Sequence, residues 1–251
     1  MGKKTYFISD LHLGASYISD PRAHERHITD FLKSIEHDAE ALYLLGDVMD
    51  YWYEYRNVAP RGFTRFLGAL ASLADAGVEI YWFKGNHDIW LFDYLSSEIG
   101  LTVVDGPVTK IIDGKRFFLD HGDGVGQRPW TFRAIRSIFR NRVCQWLYSA
   151  IHPRWTIGFA HSWSSHSRKS GQCKLPPDDI MARPLVEFSK AYDADTAHPH
   201  VDFFIYGHLH IAYDKLLPSG ARVVILGDWI KEMTYGVWDG KAFKLCRFEC
   251  I

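Results

Sequence analysis

The sequence predicts an α/β fold, a layered sheet with helices outside, on three observations. Apolar runs of strand length and amphipathic helical patterns follow one another in the order β-α-β-α-β over the first third of the chain. Shorter runs with strand-like alternation succeed them. Five of the apolar runs end in Asp, Asn or His, at the edge where an open α/β sheet lines its ligand crevice.

The first predicted strand is Tyr6–Ser9. A helix follows at His24–Ser34, with Ile28, Phe31 and Leu32 on one face, then a strand at Ala41–Leu45. The next helix, Thr64–Ala76, carries Phe66, Leu67, Leu70 and Leu73, and leads into the strand Glu79–Phe83. Further strands are expected at Arg116–Leu119, Val201–Tyr206 and Arg222–Leu226. Thr234–Trp238 and Ala242–Phe248 alternate as in an antiparallel meander. The chain has 251 residues, 47% of them hydrophobic, enough for one sizeable core. There is no internal repeat and no low-complexity linker. Residues 1–251 are therefore expected to form a single domain.

One block breaks the rhythm. From Gly124 to Pro177 there is no Asp or Glu, yet nine basic residues: Arg128, Arg133, Arg136, Arg140, Arg142, Arg154, Arg168, Lys169 and Lys174. The whole chain carries a net charge of −1, so this block is offset by acidity elsewhere. It reads as an insertion, 124–177, between two strands.

Near-neutral charge gives no global field toward nucleic acid. Cys144, Cys173, Cys246 and Cys250 lack zinc-like spacing and read as reduced thiols of a cytosolic protein. The N-terminus enters a strand without a signal-peptide core. No apolar run approaches the about 20 residues that span a bilayer, so a soluble or one-sidedly membrane-associated chain is expected.

The strand ends carry the chemistry. "YFISDLHLG" ends in Asp10 and His12, "LYLLGDVMD" in Asp47, and "YWFKGNHD" in Asn86, His87 and Asp88. "RFFLDHGD" ends in His121, and "FFIYGHLH" in His208 and His210. Three polar side chains in a row after an apolar strand are costly to desolvate unless something binds them. Carboxylate, imidazole and amide without cysteine suit divalent Mn, Fe or Zn. Asp10, His12, Asp47, Asn86, His121, His208 and His210 exceed what one metal needs. Two metals roughly 3.5–4 Å apart, sharing an Asp, would use them all and suit phosphoryl transfer. Gly46, Gly85, Gly122 and Gly207 flank these ligands, where backbone must turn tightly or approach closely. A single DxH or GHxH arises often by chance; five such motifs at five strand ends do not.

Asp10-x-His12, Gly46-Asp47-x-x-Asp50, Gly85-Asn86-His87-Asp88, His121 in "HGD" and Gly207-His208-x-His210 resemble the motif set of the calcineurin-like metallophosphoesterases, over roughly residues 5–230. The resemblance implies a four-layer αββα sandwich. It implies that Asp10, His12, Asp47 and His210 hold one metal and that Asp47, Asn86, His121 and His208 hold the other, with Asp47 shared. It also implies that His87 meets the scissile phosphate or protonates the leaving oxygen, so that His87 and Asp47 are the catalytic pair. Asp88 would orient His87 or cap the following helix.

Those motifs do not choose a substrate. Over Trp130–Tyr148, Ile135, Ile138, Phe139, Val143, Trp146 and Leu147 fall at helical spacing, with Arg133, Arg136, Arg140 and Arg142 around the same helix. Three readings fit: a membrane-surface helix, a helix packed on the domain with solvated arginines, and an arginine-rich nucleic-acid groove. "HGDGVGQRPW", "HSWSSHSRKS" and "RVVILGDWI" further resemble the UDP-2,3-diacylglucosamine pyrophosphohydrolase family of lipid A biosynthesis. That resemblance implies a helical cap covering acyl chains, two Mn2+ ions, and a place on the cytoplasmic face of the inner membrane. The implied reaction cleaves the pyrophosphate of UDP-2,3-diacylglucosamine, a lipid-linked nucleotide sugar, to 2,3-diacylglucosamine 1-phosphate and UMP. Asn86, Ser162, Lys169 and His208 would lie near the phosphosugar, with Arg168 and Arg128 beside them. Related sequences carry arginine where His87 stands; a histidine can protonate a leaving oxygen, which a guanidinium cannot. The competing expectations are a metallophosphoesterase for a soluble phosphodiester, phosphomonoester or nucleotide, and a non-catalytic binding scaffold.

Overall fold

In the computed structural model the described residues are 3–125, 130–152 and 177–249. Two sheets face each other, with helices outside. The first has the order β11-β10-β1-β2-β3-β4, built from β1 (Lys4–Ile8), β2 (Ala39–Leu44), β3 (Glu79–Phe83), β4 (Thr102–Val104), β10 (Thr234–Trp238) and β11 (Phe243–Arg247). The second has the order β5-β6-β7-β9-β8, from β5 (Val108–Ile112), β6 (Lys115–Leu119), β7 (Phe203–Tyr206), β8 (Ala212–Leu216) and β9 (Arg222–Leu226). The strands at the centre of each sheet run parallel: β1-β2-β3 in one, β6-β7-β9 in the other.

The central strands are apolar on both faces because each sheet is covered on both. Side chains alternate across a strand. Phe7, Tyr43 and Phe83 of the first sheet therefore meet Phe117, Leu119, Ile205 and Val224 of the second in the inter-sheet core. Phe7 and Phe117 stack at 5.7 Å across that gap. The opposite faces turn outward to helices. Ile8, Leu42, Leu44 and Trp82 pack with α1 (Pro21–Ile35) and α2 (Thr64–Asp75) through Ile28, Phe31, Phe66 and Leu70. Phe118, Phe204, Val223 and Ile225 pack under a long helix, here α6 (Asp178–Ala194), through Leu185 and Val186. The layers are thus αββα. Each of these buried side chains contributes about 1.5–3 kcal/mol of transfer free energy.

Local signals place α1. Asp20 accepts from the Ala23 N–H at 2.9 Å as N-cap, and Pro21 starts the helix without a wasted donor. α6 was not expected from the sequence: Pro184 stands inside it and obscures its apolar periodicity. The short elements β4, β5, β8 and α3 (Tyr94–Ile99) were missed as well.

The Trp130–Tyr148 stretch is two helices rather than one: α4 (Trp130–Arg140) and α5 (Arg142–Ser149). Asn141 causes the break. Its side chain accepts from the N–H groups of Val143 and Cys144 at 2.9 and 3.2 Å, restarting the helix as an N-cap. Of the four cysteines, Cys144 and Cys246 lie in the described residues and are free. Among the described residues no helix is long and apolar enough to cross a membrane.

Register brings the strand ends together. Ile8 pairs with Leu44, and Leu44 with Trp82, so the chain leaves β1, β2 and β3 side by side. Leu119 pairs with Ile205, and Tyr206 with Ile225, which does the same for β6, β7 and β9. Both carboxyl edges open onto one place.

Candidate metal centre

At that place the backbone is strained. Asp10, His12, Asp47, His208 and His210 all adopt left-handed φ, between 46° and 69°. Such φ values are uncommon outside glycine, and Asp and His are among the residues that tolerate them. Strain of this kind persists where surrounding contacts over-determine it, and it concentrates at functional sites. Two glycines admit the close approaches. A Cβ on Gly85 would lie 2.2 Å from Asp47 Oδ1, and one on Gly207 would lie 2.6 Å from Asp10 Oδ2.

The imidazoles converge through their Nε2 atoms. His121 Nδ1 faces the Leu45 carbonyl at 2.8 Å, His12 Nδ1 faces Asp50 Oδ1 at 3.2 Å, and His87 Nδ1 faces the Asp50 carbonyl at 3.0 Å. An acceptor at Nδ1 leaves Nε2 as the ligating nitrogen. His121 Nε2 lies 3.4 Å from Asp47 Oδ2 and 3.3 Å from Asn86 Oδ1. His12 Nε2 lies 3.9 Å from both Asp10 Oδ1 and Asp47 Oδ2. His210 Nε2 lies 3.5 Å from Asp10 Oδ1 and 3.3 Å from His12 Nε2. Among the described residues three groups have ligand atoms within 4.8 Å of one another: Asp10, His12 and His210; Asp47, His121 and His208; and His12, Asp47 and His87. Asp47 belongs to two of them. His87 is therefore also within ligand reach; separately, its main-chain N–H donates to Asp47 Oδ1 at 2.8 Å.

The donor set fits divalent metal. Asp10 is fully buried, and among the described residues its Oδ1 finds no hydrogen-bond donor. An orphaned buried carboxylate oxygen is costly unless a cation meets it. Burial pushes the Asp47 carboxyl up, but the imidazoles of His121 and His87 outweigh that and hold it well below the usual carboxylate range. Burial lowers His121 while Asp47 more than compensates, raising it well above an ordinary histidine. His12 is lowered, chiefly by burial.

Asp88 neither orients His87 nor caps the next helix; the residue before α3 is Asp93. Asp88 is fully buried. It accepts from the N–H groups of Asp47, Val48 and Met49 on one loop, from Gly85 N–H on the other, and from the Trp82 indole, at 2.8–3.4 Å. It ties the two ligand loops together. Burial and the Asp47 charge push its carboxyl up to about 6, against the pull of these donors. Asp88→Ala would orphan five buried donors, each worth about 1–3 kcal/mol. A loss of at least about 3 kcal/mol is expected, read as a melting temperature lower by about 6–12 °C. A drop below about 3 °C would show that other contacts hold the loops.

α4 and α5 dock beside the centre on an aromatic platform. The Trp90 indole donates to the Phe139 carbonyl at 3.0 Å and its ring stacks on Tyr148 at 4.9 Å. The Tyr53 hydroxyl donates to the Gln145 carbonyl at 2.6 Å, and the Tyr51 and Tyr148 hydroxyls lie 3.1 Å apart. Arg140 pairs with Asp105, which Lys84 also approaches. Phe139 packs inward, whereas Ile138, Val143, Trp146 and Leu147 are exposed. Arg128, Ser162, Arg168 and Lys169 lie outside the described residues. Asn86 and His208 are at the centre.

Two carboxylates were given no role from the sequence. Asp50 serves both His12 and His87, and Asp228, at the end of β9, faces His210. Asp228 repeats the strand-Gly-Asp signature of Gly46-Asp47, so the signal was present in "ILGDW".

A sequence profile described as calcineurin-like phosphoesterase matches residues 3–212. A UDP-2,3-diacylglucosamine hydrolase of Porphyromonas gingivalis is 45% identical over 261 aligned residues, covering 99% of this chain and 99% of that protein. A UDP-2,3-diacylglucosamine hydrolase of Shewanella sp. is 27% identical, covering 91% of this chain and 90% of the other. Among solved structures, the phosphoesterase Yfce of E. coli is 15% identical with a TM-score of 0.46, covering 97% of this chain and 92% of that one. The profile spans most of the chain, and the chain belongs to the calcineurin-like phosphoesterase family.

Proposed function

We propose that this protein is a metal-dependent hydrolase that splits the pyrophosphate of UDP-2,3-diacylglucosamine into 2,3-diacylglucosamine 1-phosphate and UMP. The near-full-length relative of that name at 45% identity carries the substrate assignment. The convergence of imidazole Nε2 atoms and carboxylate oxygens on Asp10 and Asp47 supports the chemistry.

Asp10, His12, Asp47 and His210 would hold one divalent ion, and Asp47, Asn86, His121 and His208 would hold a second, with Asp47 common to both sets and Mn2+ the metal. Bound metals supply Lewis acidity and charge neutralisation at a phosphoryl group. Water adds across the anhydride: its oxygen bonds to one phosphorus, the bridging P–O bond breaks, and a proton reaches the leaving phosphate. His87 manages that proton. Its Nδ1 is fixed on the Asp50 carbonyl, leaving Nε2 of a partly exposed side chain as the nitrogen about which a proton can move. Asn86 and His208 border the phosphosugar, as do Arg128, Ser162, Arg168 and Lys169.

The inserted block 124–177 receives the lipid end. Trp130 is 78% exposed and Trp146 69%, on helices without a single acidic residue. Each methylene an acyl chain buries there contributes about 0.8 kcal/mol, and each basic residue near an anionic membrane about 1 kcal/mol. The protein thus works peripherally, at the cytoplasmic face of the inner membrane. The test is UMP release from the acylated nucleotide sugar by the purified chain, expected only when a divalent metal is present. Intact substrate after incubation with metal would overturn the reading.

A further inference from the structure

We propose that Asp228 is a positioning residue that fixes the tautomer of His210, holding the proton on Nδ1 so that Nε2 stays a bare ligand. The inference rests on the reading of His210 as a metal ligand. Asp228 is buried and its carboxylate is locked: Oδ1 accepts from the N–H groups of Ile230, Lys231 and Glu232 at 3.0, 2.7 and 3.1 Å. Its carbonyl accepts from Met233 N–H at 2.7 Å. The remaining oxygen, Oδ2, faces His210 Nδ1 at 3.4 Å. An ionised carboxylate has no proton to give, so it selects Nδ1–H and presents Nε2 toward Asp10 Oδ1, 3.5 Å away. The next residue adds to this: the Trp229 N–H donates to the Asp10 carbonyl at 3.2 Å. The turn after β9 thereby supports both Asp10 and His210.

Asp228 does for His210 what the Leu45 carbonyl does for His121 and Asp50 does for His12. His210 has the greater need. Its side chain is 29% exposed, whereas those of His12 and His121 are at most 1% exposed and confined by packing.

A purely structural role is the rival explanation, because Asp228 also caps the turn 230–232. Asparagine separates the two. Asn caps as well as Asp, but with its oxygen kept on the three N–H groups its amide N–H₂ faces Nδ1. That favours a bare Nδ1 and a protonated Nε2, the wrong tautomer for ligation. The experiment is calorimetric titration of Mn2+ into the metal-free full chain as wild type, Asp228→Asn and His210→Gln, with melting temperatures measured alongside. Asp228→Asn is expected to melt within about 2 °C of wild type and to weaken one Mn2+ by about 10–100-fold, the usual effect of losing such a partner. Binding within about twofold of wild type, while His210→Gln loses that ion, overturns the role of Asp228. If His210→Gln also binds as wild type, the assignment of His210 as a ligand fails first, and the inference with it. A folding-independent check uses the wild-type chain loaded with Zn2+. Histidine ¹⁵N spectra, with His210 assigned from His210→Gln, should show a protonated Nδ1; a protonated Nε2 overturns the proposal.

Discussion

Asp47→Ala is expected to lower bound metal from two ions per chain to one or none and to cut hydrolysis by at least about 10³-fold. Asp47 is the residue through which the two halves of the centre meet. Its Oδ2 lies 3.9 Å from His12 Nε2 and 3.4 Å from His121 Nε2, and it belongs to two of the three ligand groups. Removing one preorganised electrostatic group already costs about 10²–10³-fold in rate; a carboxylate shared by two ions stands at or beyond the top of that range. Alanine at a φ of 52° adds about 1–2 kcal/mol of backbone strain. Asp47→Asn, with a residue that tolerates this conformation, should therefore accompany it, with the same loss of metal. Metal analysis finding two tightly held ions in either variant would remove Asp47 from its role.

His87→Ala is expected to keep both ions and lose about 10²–10⁴-fold in kcat, the usual size of a general acid–base contribution. The geometry presents a real competitor, since His12, Asp47 and His87 also form a group of ligand size. Two features favour proton transfer. The His87 main-chain N–H is bound to Asp47 Oδ1 at 2.8 Å, while its ring turns to Asp50, with Nε2 still 4.0 Å from Asp47 Oδ2. Its side chain is also 21% exposed, against 0% for that of His12, so a substrate can reach it. Loss of an ion in His87→Ala would make it a ligand and leave the leaving-group proton to another residue.

The layers and the centre were legible because they depend on local signals. Tyr6–Ser9 and Ala41–Leu45 read as buried strands since apolar faces on both sides leave continuous hydrophobic runs, and their polar terminators mark one edge. What escaped depends on long-range geometry. Asp88 looks like an N-cap from its position, and only the fold brings the Asp47–Met49 amides to it from about forty residues away. Asp228 carried the right signature, but its partner His210 is eighteen residues distant across an antiparallel turn. The pairing of Arg140 with Asp105 spans 35 residues, which no local pattern shows. The split between α4 and α5 was present in Asn141, whose side chain competes with the helix backbone. α6 was hidden by Pro184.

The proposed function requires one site to handle a charged middle and a greasy end of the same molecule. A nucleotide sugar alone would need the basic block but not the exposed Trp146 and Leu147, and a core-packed helix would need the apolar residues but not nine basic residues in a stretch without one Asp or Glu. The direct measurement is kcat/KM for UMP release from UDP-2,3-diacylglucosamine and from deacylated UDP-glucosamine, under the same Mn2+ concentration. Burying even four methylenes at about 0.8 kcal/mol each corresponds to about 200-fold, so a preference of at least about 10²-fold for the acylated substrate is expected. Comparable values for the two would show that the acyl chains are not recognised.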